Sequence, residues 1–219
     1  MKIILLGASG LVGSELKKYF SNYELIAVDI DQLDISDIEA VRLFFINNKA
    51  DVLINAFGKN EHVDKNNLNN STVFNISEEE ILSYFNVNTL YLFRVCREFV
   101  INNDRGKVFN FSSLYGHHVP RPTYYNGSHK SIGYCLSKSA SVMLTKYFAV
   151  HFPNHEFIDI VLGGVENNQA ESFVINYIND VPKARMLNVE EVGPVLEGLF
   201  QSKYITGTSI FIDGGKNLM

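Results

Sequence analysis

Apolar and polar positions follow two periods along the chain, short unbroken apolar runs and longer stretches repeating every 3.6 residues. Ile3, Ile4, Leu5 and Leu6 form a run that stops at Gly7, as a strand buried on both faces of a parallel sheet would. Residues 14–20 turn helical, with Leu16, Tyr19 and Phe20 on one side. A second strand over 24–29 ends in Asp29, and Ser36 or Asp37 can cap a helix over 38–48 that turns Val41, Phe44 and Phe45 inward. The run at 51–56 predicts a strand with Asn55 and Ala56 at its carboxyl end. Ser77 then caps a long helix, with Glu80 as its capping-box partner. Ile81, Leu82, Tyr84, Phe85, Leu90 and Phe93 cover that helix on more than one side, which predicts two buried faces. Further strands are expected over 106–113, 156–162 and 208–213, with helices over 133–152, 171–179 and 189–201. Strands alternating with helices predict a parallel sheet covered on both faces, a three-layer α/β/α arrangement.

One interval breaks the alternation. Only four residues separate Asp29 from Asp34, whereas a helical crossover needs about 10 or more. The unit that would follow the second strand is therefore missing or collapsed. Polar stretches at 57–76, 114–132 and 165–187 are expected to be loops at the carboxyl edge of the sheet, all within one domain over 1–219. The asparagine-rich stretch at 57–76 fits low complexity and a loop over an active-site mouth equally well. His62, inside it, has no metal-ligand spacing around it.

Composition narrows the function classes. The 219 residues are 46% apolar and 20% charged, ordinary for a globular domain, and the net charge of −5 offers no basic footprint for nucleic acid or anionic membrane. No uncharged stretch approaches the ~20 residues that span a bilayer. Cys96 and Cys135 lie inside helical patterns and read as thiols rather than a disulfide. A cytoplasmic protein is expected.

Candidate chemistry starts at the first turn. Gly7 would allow a tight turn, Gly10 the close approach of a pyrophosphate and Gly13 the packing of helix on strand. Ser9, Leu11 and Val12 complete this turn, whose backbone N–H groups would face a phosphate. Asp29 can accept from ribose hydroxyls and repel a 2′-phosphate, which favours NAD over NADP. Tyr134 and Lys138 lie one helical turn apart. An ammonium held near a phenol favours the phenolate, so Tyr134 could exchange a proton with an alcohol or alkoxide.

Together these features resemble the short-chain dehydrogenase/reductase family over nearly the whole chain. The glycines at 7, 10 and 13, Asn55-Ala56-Phe57-Gly58, Asn86-Val-Asn-Thr89, Phe111-Ser-Ser-Leu-Tyr-Gly116, Tyr134-x-x-x-Lys138 and the Thr206-Gly207 and Asp213-Gly214-Gly215 pairings carry the resemblance. It implies a Rossmann-type doubly wound sheet. It implies Asn88, Ser113, Tyr134 and Lys138 as catalytic residues, with Ser112 an alternative to Ser113. Gly7, Ser9, Gly10, Leu11, Val12, Asp29, Asn55, Ala56, Phe57, Tyr134 and Lys138 would hold the cofactor, as would the backbone of Val165. Asp34 and Ile35 would meet the adenine, although the shortcut there departs from the family pattern and is similar to that of dTDP-4-dehydrorhamnose-reductase-like relatives. The long insert between Ser113 and Tyr134 resembles short-chain enzymes of bacterial surface-sugar and nonulosonic-acid pathways. It implies a sugar substrate met by Ser113, Tyr115, Arg121, Tyr125 and Tyr134, with Arg121 or Lys130 free to pair an acidic group. The polar insert residues His117, His118 and Asn126 are part of the same expectation, and the two histidines lack a ligand set for a metal. A homodimer or homotetramer through the helices at 78–102 and 133–152 is expected. A regulatory nucleotide-binding protein and a sugar-nucleotide epimerase or dehydratase are the alternative readings.

Overall fold

A computed structural model describes residues 1–61, 72–125 and 127–219. His62 and Asn126 lie outside the described residues, as does most of the asparagine-rich stretch. Six strands, β1 (Lys2–Leu6), β2 (Glu24–Val28), β3 (Val52–Asn55), β4 (Gly106–Phe111), β5 (His155–Leu162) and β6 (Thr208–Ile212), form one parallel sheet in the order β2-β1-β3-β4-β5-β6. This is the Rossmann-type α/β arrangement, with its outermost unit on the β2 side absent. In register, Leu6 pairs with Val28 on one side and Asn55 on the other. The chain steps from β1 to β2, then returns across β1 to β3, so the strand order reverses at the carboxyl end of β1. Such a switch point leaves a crevice for ligands.

The helices are α1 (Leu11–Tyr19), α2 (Ile38–Asn47), α3 (Glu78–Phe85), α4 (Leu92–Asn102), α5 (Ile132–His151), α6 (Glu171–Ile178) and α7 (Val192–Phe200). The apolar run in β1 is continuous because both faces are covered. Ile3 and Leu5 pack with Leu16 of α1, Phe20 just after it and Leu196 of α7, while Ile4 and Leu6 pack with Val41, Phe45, Phe99 and Phe148 of α2, α4 and α5. Asp37 caps α2, its Oδ1 accepting from the N–H groups of Glu39 and Ala40 at 2.9 and 3.0 Å. The shortcut after β2 is pinned by Arg94 on α4, whose Nη1 donates to the carbonyls of Ile35 and Ser36, each at 2.6 Å.

The long helix expected over 78–102 departs from regularity. Between α3 and α4 the backbone widens into a π-helical segment, Asn86–Tyr91. The capping box at its start is half-formed: Ser77 Oγ accepts from the Glu80 N–H at 3.1 Å, but the Glu80 carboxylate takes a bond from Ser131 instead. Cys96 and Cys135 are free thiols. No helix among the described residues is long and apolar enough to cross a membrane.

Candidate active site

β1 ends in a turn that only glycine tolerates. Gly7 has φ +82°, and a Cβ there would lie 2.6 Å from the Phe57 amide nitrogen. The turn is stitched to β2, since the Gly7 and Ala8 N–H groups donate to Val28 O at 3.0 and 3.2 Å. A Cβ on Gly13 would lie 1.9 Å from Gly7 O, so α1 rests directly on the turn. The N-cap Gly10 makes no side-chain cap bond, and the first intrahelical bond runs from Ser14 N to Gly10 O. The N–H groups of the first turn of α1 are therefore without helical partners. Gly10, Leu11 and Val12 border a cavity of about 920 Å³ at the carboxyl edge of the sheet. The turn fits an anionic phosphate, with the helix N-terminus favouring negative charge.

The other walls come from the ends of β3, β4 and β5 and from α5. Ala56, Phe57, Gly58, Ser112, Ser113, Tyr115, Tyr125, Tyr134, Lys138 and Val165 all line this cavity. Ser113 Oγ accepts from the Tyr115 N–H at 3.2 Å, with its hydroxyl close enough to Tyr134 to act on the phenol, whereas Ser112 Oγ is buried without a partner. Asn88 sits in the π-helical segment and clamps one residue of the loop after β3. Its Oδ1 accepts from the Lys59 N–H at 2.8 Å, and its Nδ2 donates to Lys59 O and Ser137 Oγ, both at 3.0 Å. The tips of Asn88 and Lys138 converge beside Gly58, where an added Cβ would lie 3.2 and 3.3 Å from Asn88 Oδ1 and Lys138 Nζ.

The electrostatics correct one expectation. Tyr134 is buried, and that burial pushes its pKa up to about 12, with the Ser113 hydroxyl pulling the other way. Burial likewise lowers the Lys138 ammonium to about 8, opposed by the nearby Asp159 carboxylate. Lys138 Nζ donates to Phe111 O at 2.7 Å. Desolvation of the phenol thus outweighs the expected lowering by Lys138.

Several expected ligand residues stand elsewhere. Asp29 is not part of the cavity wall; its Oδ2 accepts from the N–H and hydroxyl of Ser9, both at 2.7 Å. Asp34 accepts from Ser36 N at 2.8 Å and Ile35 packs into the core, so both shape the shortcut. Asn55 is buried beneath the site, where its Nδ2 donates to Asn110 Oδ1 at 2.8 Å. Val165 pairs with Leu187 through its neighbours' backbone groups, and Gln169 donates to its carbonyl at 2.6 Å. Arg121 is not brought to the cavity: its guanidinium pairs with Asp180 at 3.0 Å, outside the wall. Lys130 does line the cavity, but its Nζ donates to Asn60 Oδ1 and Glu61 O at 2.6 and 2.5 Å.

The far end of the cavity is aromatic. Tyr115, Tyr124, Tyr125, Phe173 and Tyr177 pack together there. Their hydroxyls are tied within the protein: Tyr125 donates to Tyr115 at 2.9 Å, Tyr177 accepts from Gly164 N at 2.6 Å, and Tyr124 donates to Asp180. Lys216 supports the cluster from behind, 4.2 Å from the Tyr177 ring centroid and 2.7 Å from the Tyr124 hydroxyl. The sequence gives no sign of Phe173, Tyr177 or Lys216 as site residues, because no motif marks the short helix expected over 171–179 and Lys216 follows the last strand.

Solved structures supply a comparison over the whole chain. A short chain dehydrogenase from Leptospira borgpetersenii with bound NAD+ is 25% identical, covering 99% of this chain and 92% of its own, with a TM-score of 0.84. The fold is that of the short-chain dehydrogenases. A 4-hydroxyisoleucine dehydrogenase mutant complexed with NADH and succinate matches at 23% identity, 100% and 99% coverage and a TM-score of 0.84. A gluconate 5-dehydrogenase from Burkholderia cenocepacia in complex with NADP and tartrate matches at 15% identity, 100% and 96% coverage and a TM-score of 0.83. The family model for the RmlD substrate binding domain matches residues 1–83, the part that contains the glycine turn and the shortcut. No curated protein matches the sequence significantly.

Proposed function

We propose that the chain is an NAD(P)-dependent oxidoreductase that interconverts a secondary alcohol and a ketone. The observation that carries this reading is that Ser113, Tyr134 and Lys138, the last two one turn apart on α5, line the same cavity as the first turn of α1. Gly7, Ser9, Gly10, Leu11 and Val12 would hold the pyrophosphate, and Ala56, Phe57, Lys138 and the Val165 backbone the nicotinamide half. Asp29 would turn from Ser9 to the adenosine ribose, which favours NAD over NADP. The cofactor supplies or accepts the hydride.

The protein's own groups move the proton. Ser113 donates to the reacting oxygen and fixes its distance from Tyr134. Tyr134, protonated at neutral pH, gives its proton to the developing alkoxide in reduction and takes it back in oxidation. Asn88 holds the Lys59 backbone beside Lys138, which keeps this corner of the site in place for a proton relay to solvent.

A sugar or sugar-derived substrate fits the remaining space. Aromatic faces on one side suit the apolar face of a pyranose, and Asn167 and Gln169 on another wall can meet hydroxyls. A cytoplasmic location belongs to the same reading. Titration with NADH and NADPH, followed by nicotinamide fluorescence, tests it. Tight NADH binding is expected, and binding of neither cofactor would overturn it. Tyr134→Phe should abolish turnover with cofactor affinity nearly unchanged, and Asp29→Ala should weaken NADH binding and relax discrimination against NADPH.

A further inference from the structure

Lys130 precedes Tyr134 by four residues, as Lys138 follows it by four. It lies just ahead of α5, whose N-cap is Ser131, and it approaches Tyr134 from the segment between β4 and α5. Its ammonium stands 4.6 Å from the centroid of the Tyr134 ring. Asn60 Oδ1 and Glu61 O hold it there at 2.6 and 2.5 Å. A lysine kept for a phosphate or carboxylate of the substrate would leave its donors facing the cavity, but two of its three are spent on the loop after β3. The side chain stands in the wall shared by the main cavity and a neighbouring one of about 500 Å³. Lys138 directs its own ammonium to Phe111 O.

A cation over an aromatic face is attracted weakly to the neutral ring and far more strongly to a phenolate. We infer that Lys130 is a second ammonium that stabilises the Tyr134 phenolate, acting through the tyrosine and not on the substrate. It is thus a positioning residue, and the inference rests on Tyr134 being the acid/base. When the phenol O–H gives its proton to the alkoxide, the charge left behind is shared between the oxygen and the ring whose centroid lies 4.6 Å from this ammonium. The reverse transfer starts from the same ion pair.

The surrounding groups leave this role to Lys130. Tyr134 is faced by Ser113 at the end of β4, Tyr84 on α3, Tyr125 in the insert and Cys135 on α5, while Lys138 turns its ammonium to Phe111 O. Lys130 is faced by Glu61 and Cys135 besides Tyr134. Burial lowers the Lys130 ammonium to about 8 and raises Tyr134 to about 12, so the resting pair at neutral pH is ammonium and phenol. In that state the phenol ionises with the positive charge still present.

The test replaces Tyr134 with a fluorinated tyrosine that ionises near neutrality, so that its phenolate absorbance can be titrated without substrate or cofactor. Three forms of this protein are compared: Lys130 intact, Lys130→Met and Lys130→Arg. The midpoint is expected to rise by about one to three pH units in Lys130→Met and to return in Lys130→Arg. With unmodified Tyr134, Lys130→Met should slow alcohol oxidation at neutral pH about ten- to thousand-fold, with KM nearly unchanged. An unchanged midpoint overturns the inference. Should Lys130→Met fail to fold, acetyl-lysine at position 130 keeps the stem, removes the charge and gives the same comparison. A shifted midpoint in a protein that turns over no alcohol or ketone upholds the coupling and removes the dehydrogenase reading instead.

Discussion

At Gly13 an added Cβ would fall 1.9 Å from Gly7 O, and at Gly10 it would meet only Gly7 O at 3.5 Å. The first atom is backbone that cannot swing away, and the second distance is ordinary contact. Gly13→Ala is therefore expected to cost about 3 kcal/mol in urea unfolding, while Gly10→Ala should leave the Tm unchanged and weaken NADH binding alone. A Gly13→Ala protein as stable as the wild type would mean that α1 does not rest on the turn as described. Gly7 and Gly13 are legible in sequence because neither position leaves room for a side chain. Arg121 and Lys130 show the opposite case. Both are cations in the polar insert, and their difference in role comes from Asp180, Asn60 and Glu61, which the fold brings from 59 to 70 positions away.

Among the elements, the π-helical segment Asn86–Tyr91 has the most direct bearing on the site. It interrupts the helix at Asn88, whose side chain makes three hydrogen bonds across to Lys59 and Ser137. Asn88→Ala should lose about 1–3 kcal/mol in urea unfolding and most of kcat, because the part-buried Lys59 backbone loses both of its partners. Retained kcat would count against the clamp. The apolar periodicity over 78–102 predicts the helix but not its local widening, since one extra residue in a turn leaves the apolar pattern nearly unchanged. The shortcut after β2 behaves similarly. Its brevity is plain from residue counts, but its stability depends on Arg94, which donates to two carbonyls 58 and 59 positions earlier. Arg94→Ala should cost about 3 kcal/mol, measured in the same unfolding assay.

For the molecule as a whole, acid sensitivity follows from its hydrogen-bonded carboxylates. Glu197 on α7 is lowered first by the Tyr23 hydroxyl and then by that of Tyr19, at 2.6 and 2.7 Å. Asp34 is lowered by Ser36, Glu191 by Arg185 and Asp180 by Tyr124. At Asp29 burial raises the pKa, but the bonds from Ser9 and Ile30 outweigh it and the net direction is down. A carboxylate with a depressed folded-state pKa stabilises above its unfolded value, about 4, and loses that contribution as pH falls through the folded value. The Tm should thus hold from neutrality to about pH 5 and fall below pH 4, with a smaller fall in Glu197→Gln. A Tm flat down to pH 3 would contradict this. On the outer surface of α4 and α5, Phe93, Met143, Tyr147 and Val150 are exposed together with Leu90. We propose that a second copy of the chain covers this face. Light scattering should give a dimer or tetramer, and Met143→Asp with Val150→Asp should give a monomer.

The sequence alone determined the alternation of strands and helices, the glycine turn, the missing unit after β2 and the spacing of Tyr134 and Lys138. All of these are local: they depend on periodicity, chain length or the absence of a side chain within a few residues. The tertiary structure decided which groups share the cavity and in what ionisation state. Burial overrode the expected lowering of Tyr134, pairing with Asp180 removed Arg121 from the site, and α6 with the C-terminal turn built the aromatic wall. Desolvation and long-range pairing depend on what surrounds a residue in space, and spacing along the chain does not encode that.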